Sequence, residues 1–465
     1  MASLTRKTST VSTSLCTFVI DPESALEPYD PTLGHGPWGA RQAAHLLNRG
    51  VGGPKPGQVQ RLVEAGPFQA LDILFEPDQE VLEAAWMGIG EPLAAAEDRN
   101  KLAAWWLMKM VQDDRVTGSR LALFWHGHFA TTWSKVQASA QMYRQHLTFL
   151  DKGAGPFGEL LQWMMRDPAM LVFLDNDQNR RGLPNENLAR ELMELFSLGV
   201  GHYSETDVKE AARALTGRSV RKGQYRFVEL HHDPDPKQVL DQEVMDGDDL
   251  VQVVLGQEAC PRFLVRKFWE FYVGPRLDED LLQLLSERWR ANELDVTWLL
   301  RTILGSRAFH DTMVVQAVVK SPVDLVVGTM RSMGGRPDPH FLELACQRMG
   351  QVLFEPPGVQ GWAGGEAWVH TAAWIERTRF AADVAAGRHQ YLRKAPLQQL
   401  FPSGRRMVLE QGMDDMLRAF IPAGIAPSRR RALLATLESM GRTPDDRRFE
   451  ELAYAILCLP EYHLS

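Results

Sequence analysis

The sequence predicts a predominantly helical, irregular multi-helix globule, with at most one short strand pair near residues 220–230. Three observations carry this. Apolar residues recur at three- and four-residue spacing through most of the 465 residues, the pattern of helices with one buried face. Period-two alternation is confined to the neighbourhood of Tyr225 and Phe227. No internal repeat marks a solenoid.

The composition, 45% hydrophobic and 24% charged, is that of a globular chain with a large core. A formal net charge of -8 argues against nucleic acid as the main partner. Cys16, Cys260, Cys346 and Cys458 are scattered, so neither a thiolate zinc site nor a disulfide framework is expected. No apolar run reaches the ~18 residues of a spanning helix, and no nucleotide cofactor is expected. The N-terminus interrupts its apolar segment with hydroxyl residues, which makes it a poor signal peptide. Cytoplasmic is therefore the default location, and export the alternative.

Residues 1–34, rich in Ser, Thr and Pro, read as a disordered or irregular tail. An N-terminal helical lobe is expected over 35–245, a second over 246–388, and a helical extension over 389–465. From Ala40 the pattern is helix, Gly/Pro loop and two further helices, with His45 packed or capping. Trp105 and Trp106 follow on a helix, where core filling is the natural role.

Next comes Phe124-Trp125-His126-Gly127-His128-Phe129. On an unbroken helix His126 and His128 point about 200° apart and share no metal. Gly127 allows either a break or a close backbone approach. Hydrogen-bonded core histidines and a metal or acid–base pair both remain open. Asp175, Asp177, Asn179 and Glu186 fall at EF-hand positions, but Arg180 replaces the required glycine and Pro184 interrupts the loop. A plain Asx-rich turn fits better.

Asn185–Gly217 predicts a helical hairpin. Asn185 caps the first helix, Gly199 stops it, and Ser204 with Asp207 forms a capping box for the second. Asn187, Arg190, Glu191 and Glu194 form one polar stripe; Asp207, Glu210 and Arg213 form another. After it, His231-His232-Asp233-Pro234 is a braced loop able to offer a ligand. Asp246, Asp248 and Asp249 suit a helix cap. Residues 351–377 hold a Gly/Pro loop around Trp362, Glu366 and Trp368, either functional or a buttress. Arg429, Arg430 and Arg431 read as a solvated face.

RDPAMLVFLDNDQNRRGLPNENLARELMELFSLGVGHYSETDVKEAARALTG, FWHGHFAT, the HHDP loop, FLVRKFWEFYV, KSPVDLVVGTMR and GVQGWAGGEAWV together resemble a bacterial family catalogued as domain of unknown function 1800. The likeness runs from about Ala40 to Val384 and is less clear beyond. It implies a mainly helical fold, genes neighbouring those of a sulfatase-like protein, and members that are often exported.

Two functions are expected. The first is a metal-dependent hydrolase for an anionic or polysaccharide-type substrate. His126, His128, Glu191, Glu194 and His232 would hold a divalent ion. Glu210 or Glu186 would act as base, and Arg190 and Arg213 would orient substrate or carboxylates. The second is a non-enzymatic binding or scaffold protein for a glycan or a partner enzyme, a sulfatase-like protein among the candidates, with the loop around Trp362 and Trp368 as its surface; Asn187, Trp362 and Glu366 are the substrate-binding candidates. Glu191–Arg213 and Glu194–Arg190 would then be structural ion pairs. Binding of nucleic acid through the acidic hairpin ranks lowest.

Overall fold

The computed structural model describes residues 21–76, 80–334, 337–387, 409–439 and 446–465. The expected tail up to residue 20, Cys16 within it, and the boundary at 388–389 lie outside the described residues. Among the described residues helices dominate, accompanied by two antiparallel strand pairs and by no solenoid or barrel. Buried apolar side chains form one continuous core from Ala25 to Tyr462. Among the described residues no helix is long and apolar enough to cross a membrane.

The local signals read from the sequence act as physical caps. Ser204 and Asp207 close a capping box on the helix Glu205–Ala214. Asp246 accepts the Asp248 and Asp249 amides at the start of Gly247–Gly256. The expected strand pair forms at Arg218–Arg221 and Gln224–Phe227. A second, Lys237–Val239 with Gln242–Val244, adds to it. Its turn is made by Leu240 and Asp241 at φ 49° and 61°, residues that give no turn signal. Asp207 holds that turn by accepting the Leu240 amide at 2.7 Å.

The core is wider than helical periodicity suggests. Trp105 and Trp106 are both buried, because Arg99–Gln112 is covered on several sides. His45 is buried, with Nε2 3.1 Å from the Phe309 carbonyl. Cys260 and Cys346 are buried free thiols, and burial pushes Cys260 up to about 12.

Buried charge ties the middle of the fold together. Asp113 accepts the Ser119 amide and hydroxyl, both at 2.8 Å, and pairs with Lys109 and Arg115. Burial would raise its pKa, but Lys109 and Arg115 hold it well below the carboxylate range. Arg331, on the helix Pro322–Met333, is fully buried. Its guanidinium donates to the carbonyls of Gly53 and Asp113 at 2.7 Å, to those of Met110 and Val111 at 3.2 Å, and to Asp114 Oδ1 at 2.6 Å. The same helix sits against the loop after Ala40–Val51 because both partners are glycine. A Cβ on Gly53, at φ +133°, would meet Gly328 Cα at 2.9 Å.

Replacing one buried member of such a network leaves the others desolvated and unpaired. Arg331→Ala is expected to lower unfolding free energy by about 3–5 kcal/mol, measured by denaturant titration. Arg331→Lys should recover only part, because an ammonium lacks the planar fork.

Candidate functional site

The central hairpin forms, but as an ion-paired element. Its first helix spans Asn187–Glu191 and continues as a π-helical turn, Leu192–Ser197. Asn185 Oδ1 accepts the Asn187 amide at 2.9 Å, one residue inside the expected cap. Arg190 forks onto both Glu205 oxygens at 2.8 Å and reaches Glu186 at 3.2 Å. Arg213 lies between Glu210 at 2.6 Å and Asp233 at 2.8 Å. The expected Glu191–Arg213 and Glu194–Arg190 pairs are thus replaced, because Glu205 and Asp233 stand closer to the guanidinium groups. Glu194 accepts the Tyr203 hydroxyl at 2.5 Å. Glu191 is half-buried, and desolvation with the neighbouring Glu194 raises its pKa.

The approach loop is an Asx staple. Asn179 and Asn176 are buried. Asn179 Nδ2 donates to the Ala212 carbonyl at 2.9 Å, and its Oδ1 accepts the Asn185 amide at 2.9 Å. Asp175 pairs with Lys135 at 2.8 Å. These side chains are spent in fastening the hairpin.

The histidines are held apart. Leu121–His128 is helical through Gly127, so His126 and His128 face different surroundings. His126 Nε2 accepts the Phe354 amide at 3.0 Å, and burial pushes its pKa down to about 3. Phe354 sits at φ +63°, and its carbonyl accepts the Trp133 amide at 2.8 Å. His128 Nε2 lies 3.1 Å from the Phe196 carbonyl, to which it donates. Its Nδ1 is therefore an unprotonated acceptor, and it has no partner. His232 Nδ1 lies 3.0 Å from the Thr216 carbonyl. Among the described residues no three His, Cys, Asp or Glu side chains form a group that could hold a metal. The ligand set read from the sequence is not assembled among the described residues.

What does converge is a cleft of about 470 Å³. Four of the motif segments line it. Phe124, Gly127 and His128 come from Leu121–His128; Lys267, Glu270 and Phe271 from the helix Ala259–Tyr272. Ser321 and Asp324 come from the start of Pro322–Met333, and Gln360, Trp362 and Trp368 from the Gly/Trp loop. Of the residues singled out in the sequence, Gly127, His128, Trp362 and Trp368 line this cleft. Asn187, Glu366 and the hairpin carboxylates do not.

The loop docks through a glycine. A Cβ on Gly361, at φ +72°, would lie 2.2 Å from the Gly127 carbonyl oxygen. This brings the Trp362 ring within 5.5 Å of His126, with its indole Nε1 buried and unpartnered. Gly127 is thus no helix break, and the close approach is set by Gly361 against the Gly127 carbonyl.

The cleft's charges are unequally committed. Arg49 donates to Tyr272 O at 2.8 Å, Phe271 O at 2.5 Å and Ser465 Oγ at 2.7 Å. Arg120 pairs with Asp324 and lies 4.9 Å from the Phe271 ring centre. Lys267 has only the Leu195 carbonyl, at 3.2 Å, and the Phe263 ring, at 4.7 Å. Among the described residues it has no ion pair. Burial pushes its ammonium down to about 8, against the opposing pull of Glu270. Partial desolvation raises the Glu270 carboxyl, although Arg266 and Lys267 favour its ionised form.

Lys267, Glu270, Arg49, Arg120 and Asp324 were not readable as a site, since each sits in a stretch dominated by helical apolar spacing. One signal was present. Lys267 and Glu270 lie three apart on a helix otherwise lined with Phe263, Phe268 and Phe271, which puts a charged pair beside an aromatic stripe.

Residues 45–464 match the family model described as Protein of unknown function (DUF1800), and the chain belongs to that family. The match carries the likeness through the C-terminal part, beyond Val384. Neither curated proteins nor solved structures give a match.

Gly361→Ala should undock the loop, costing about 1–3 kcal/mol by overpacking and shifting tryptophan fluorescence. Gly127→Ala meets nothing within 4 Å and is expected to be neutral or stabilising by up to ~1 kcal/mol. Equal effects of the two in denaturant melts would contradict the docking geometry.

Proposed function

We propose that this chain is a binding protein whose cleft takes a small acidic ligand with a ring, an acidic or sulfated sugar being the class that fits. The observation carrying this is Lys267. It is an ammonium without a carboxylate partner, set among Phe124, Phe271, Trp362 and Trp368 in a cleft of about 470 Å³, within the usual size of small-molecule sites. A ligand carboxylate or sulfate would supply the missing counter-charge. The Phe124, Phe271, Trp362 and Trp368 rings offer an apolar wall for the ligand's ring. Of the two expected functions this supports the binding reading. A sulfatase-like partner would share the ligand chemistry, and a sugar ligand favours the exported alternative over the cytoplasmic one.

A second reading has one supporting observation. Lys267 and Glu270 both shift toward neutrality on one cleft wall, as acid–base pairs do. In that reading the cleft hydrolyses what it binds, and Glu270→Gln would keep binding while abolishing product release over long incubation.

Calorimetry with galacturonate, glucose 6-sulfate and glucose tests the binding reading. The two acids should bind and glucose should not. Lys267→Met should weaken binding by tenfold or more, and Gly127→Phe, which projects into open cleft space, should abolish it without unfolding the chain. Equal affinity for acid and neutral sugars would overturn the assignment. Because the ammonium titrates near 8, affinity for the acids should hold below that pH and fall as pH rises through it.

A further inference from the structure

The strand pair Arg218–Arg221 and Gln224–Phe227 carries a concentration of positive charge unlike the rest of this acidic chain. From Leu215 to Val228 there are four cations, Arg218, Arg221, Lys222 and Arg226, and no carboxylate, in a protein of net charge -8. Only Arg218 is buried, where it pairs with Asp248 at 2.8 Å.

The backbone register sorts the remaining side chains. Ser219 pairs with Arg226 and Arg221 with Gln224, so these four share one face. Val220 and Tyr225 share the other and pack against the core. Lys222 and Gly223 make the turn at φ +51° and +70°, the paired left-handed geometry of a tight hairpin. Arg144, on Ser139–Lys152, donates to the Gly223 carbonyl at 2.9 Å and adds its charge beside the turn. Arg144, Arg221, Lys222 and Arg226 are all exposed. None makes an ion pair among the described residues.

Three cations on the hairpin end and Arg144 beside it, none of them in an ion pair among the described residues, repel one another. Their arrangement suits an external polyanion. We infer that the outward face of this hairpin, with Arg144, binds an acidic polysaccharide carrying carboxylates.

The partner class follows from charge density and the residues present. The outward face, Ser219, Arg221, Gln224 and Arg226, has no aromatic side chain to stack a base, as single-strand nucleic-acid sites do. The turn, Arg221-Lys222-Gly223-Gln224, has no apolar side chain to enter a bilayer. A sugar polymer carries about one carboxylate per ring, which separate guanidinium forks can grip one at a time.

This inference does not depend on the cleft. The full chain should be retained on immobilised polygalacturonate and not on its methyl-esterified, neutral form. Salt should release it as the Debye length falls from ~10 Å at 0.1 M to ~3 Å at 1 M. Arg221→Ser combined with Arg226→Ser should weaken retention at least tenfold, and the double lysine replacement should preserve most of it. Both positions are exposed, so circular dichroism and melting should be unchanged. Absence of retention, equal retention of the double serine variant, or retention as strong on duplex DNA or on phosphatidylserine vesicles would overturn the inference. Loss of retention in Gly127→Phe would also overturn it, by moving the binding to the cleft.

Discussion

Buried guanidinium groups hold this structure in register. Arg331 satisfies carbonyls from the loop after Ala40–Val51 and from the end of Arg99–Gln112, segments far apart in sequence. Arg120 links the carbonyl of Arg49 to Asp324 on the helix that carries Arg331. Arg49 in turn closes the last carbonyls of Ala259–Tyr272, groups a helix leaves unpaired at its C-terminus. A buried charge tolerates few geometries, because each donor must find an acceptor. The helices are thereby fixed relative to one another more narrowly than apolar packing alone would fix them. The cleft opens among these fixed helices, and the Arg120–Asp324 pair lines it.

Charge bookkeeping then separates scaffold from site. The hairpin that dominates the sequence pattern ties up its two arginines: Arg190 with Glu205 and Glu186, Arg213 with Glu210 and with Asp233 of the following loop. Such partly exposed pairs contribute little to stability individually, but they leave neither guanidinium free for a ligand. In the cleft the accounting differs, since Arg49 and Arg120 are consumed while Lys267 is not.

Much of the fold was legible because it rests on local chemistry. Ser204 with Asp207 and Asp246 with its following amides announce their helices in sequence, and Tyr225 with Phe227 announces a strand. The Gly/Trp loop stood out from its composition, and Trp362 does line the cleft. The site as a whole was not legible, for a physical reason. Its members come from at least five segments spread between Arg49 and Trp368, and nothing in any one segment states its distance to another. The polar stripe Asn187–Glu194 looked like a site because helical projection reveals a shared face but not whether partners wait opposite it. His126 and His128 show the same limit. Their spacing on a continuous helix separates them, yet only the fold shows that one ring serves a backbone amide while the other keeps a bare nitrogen.

The His126 ring stands in for a strand neighbour. It receives the amide of Phe354, a residue held at a left-handed φ, and so anchors the loop that ends in Trp362. A side chain in that place could have made the loop a proton-operated latch. Burial forbids it, since the ring stays neutral until pH falls to about 3. The anchor of the Trp362 loop is therefore unaffected by acidity over the range in which Lys267 changes charge. Titration of Lys267 alters the charge of the cleft while this anchor stays in place.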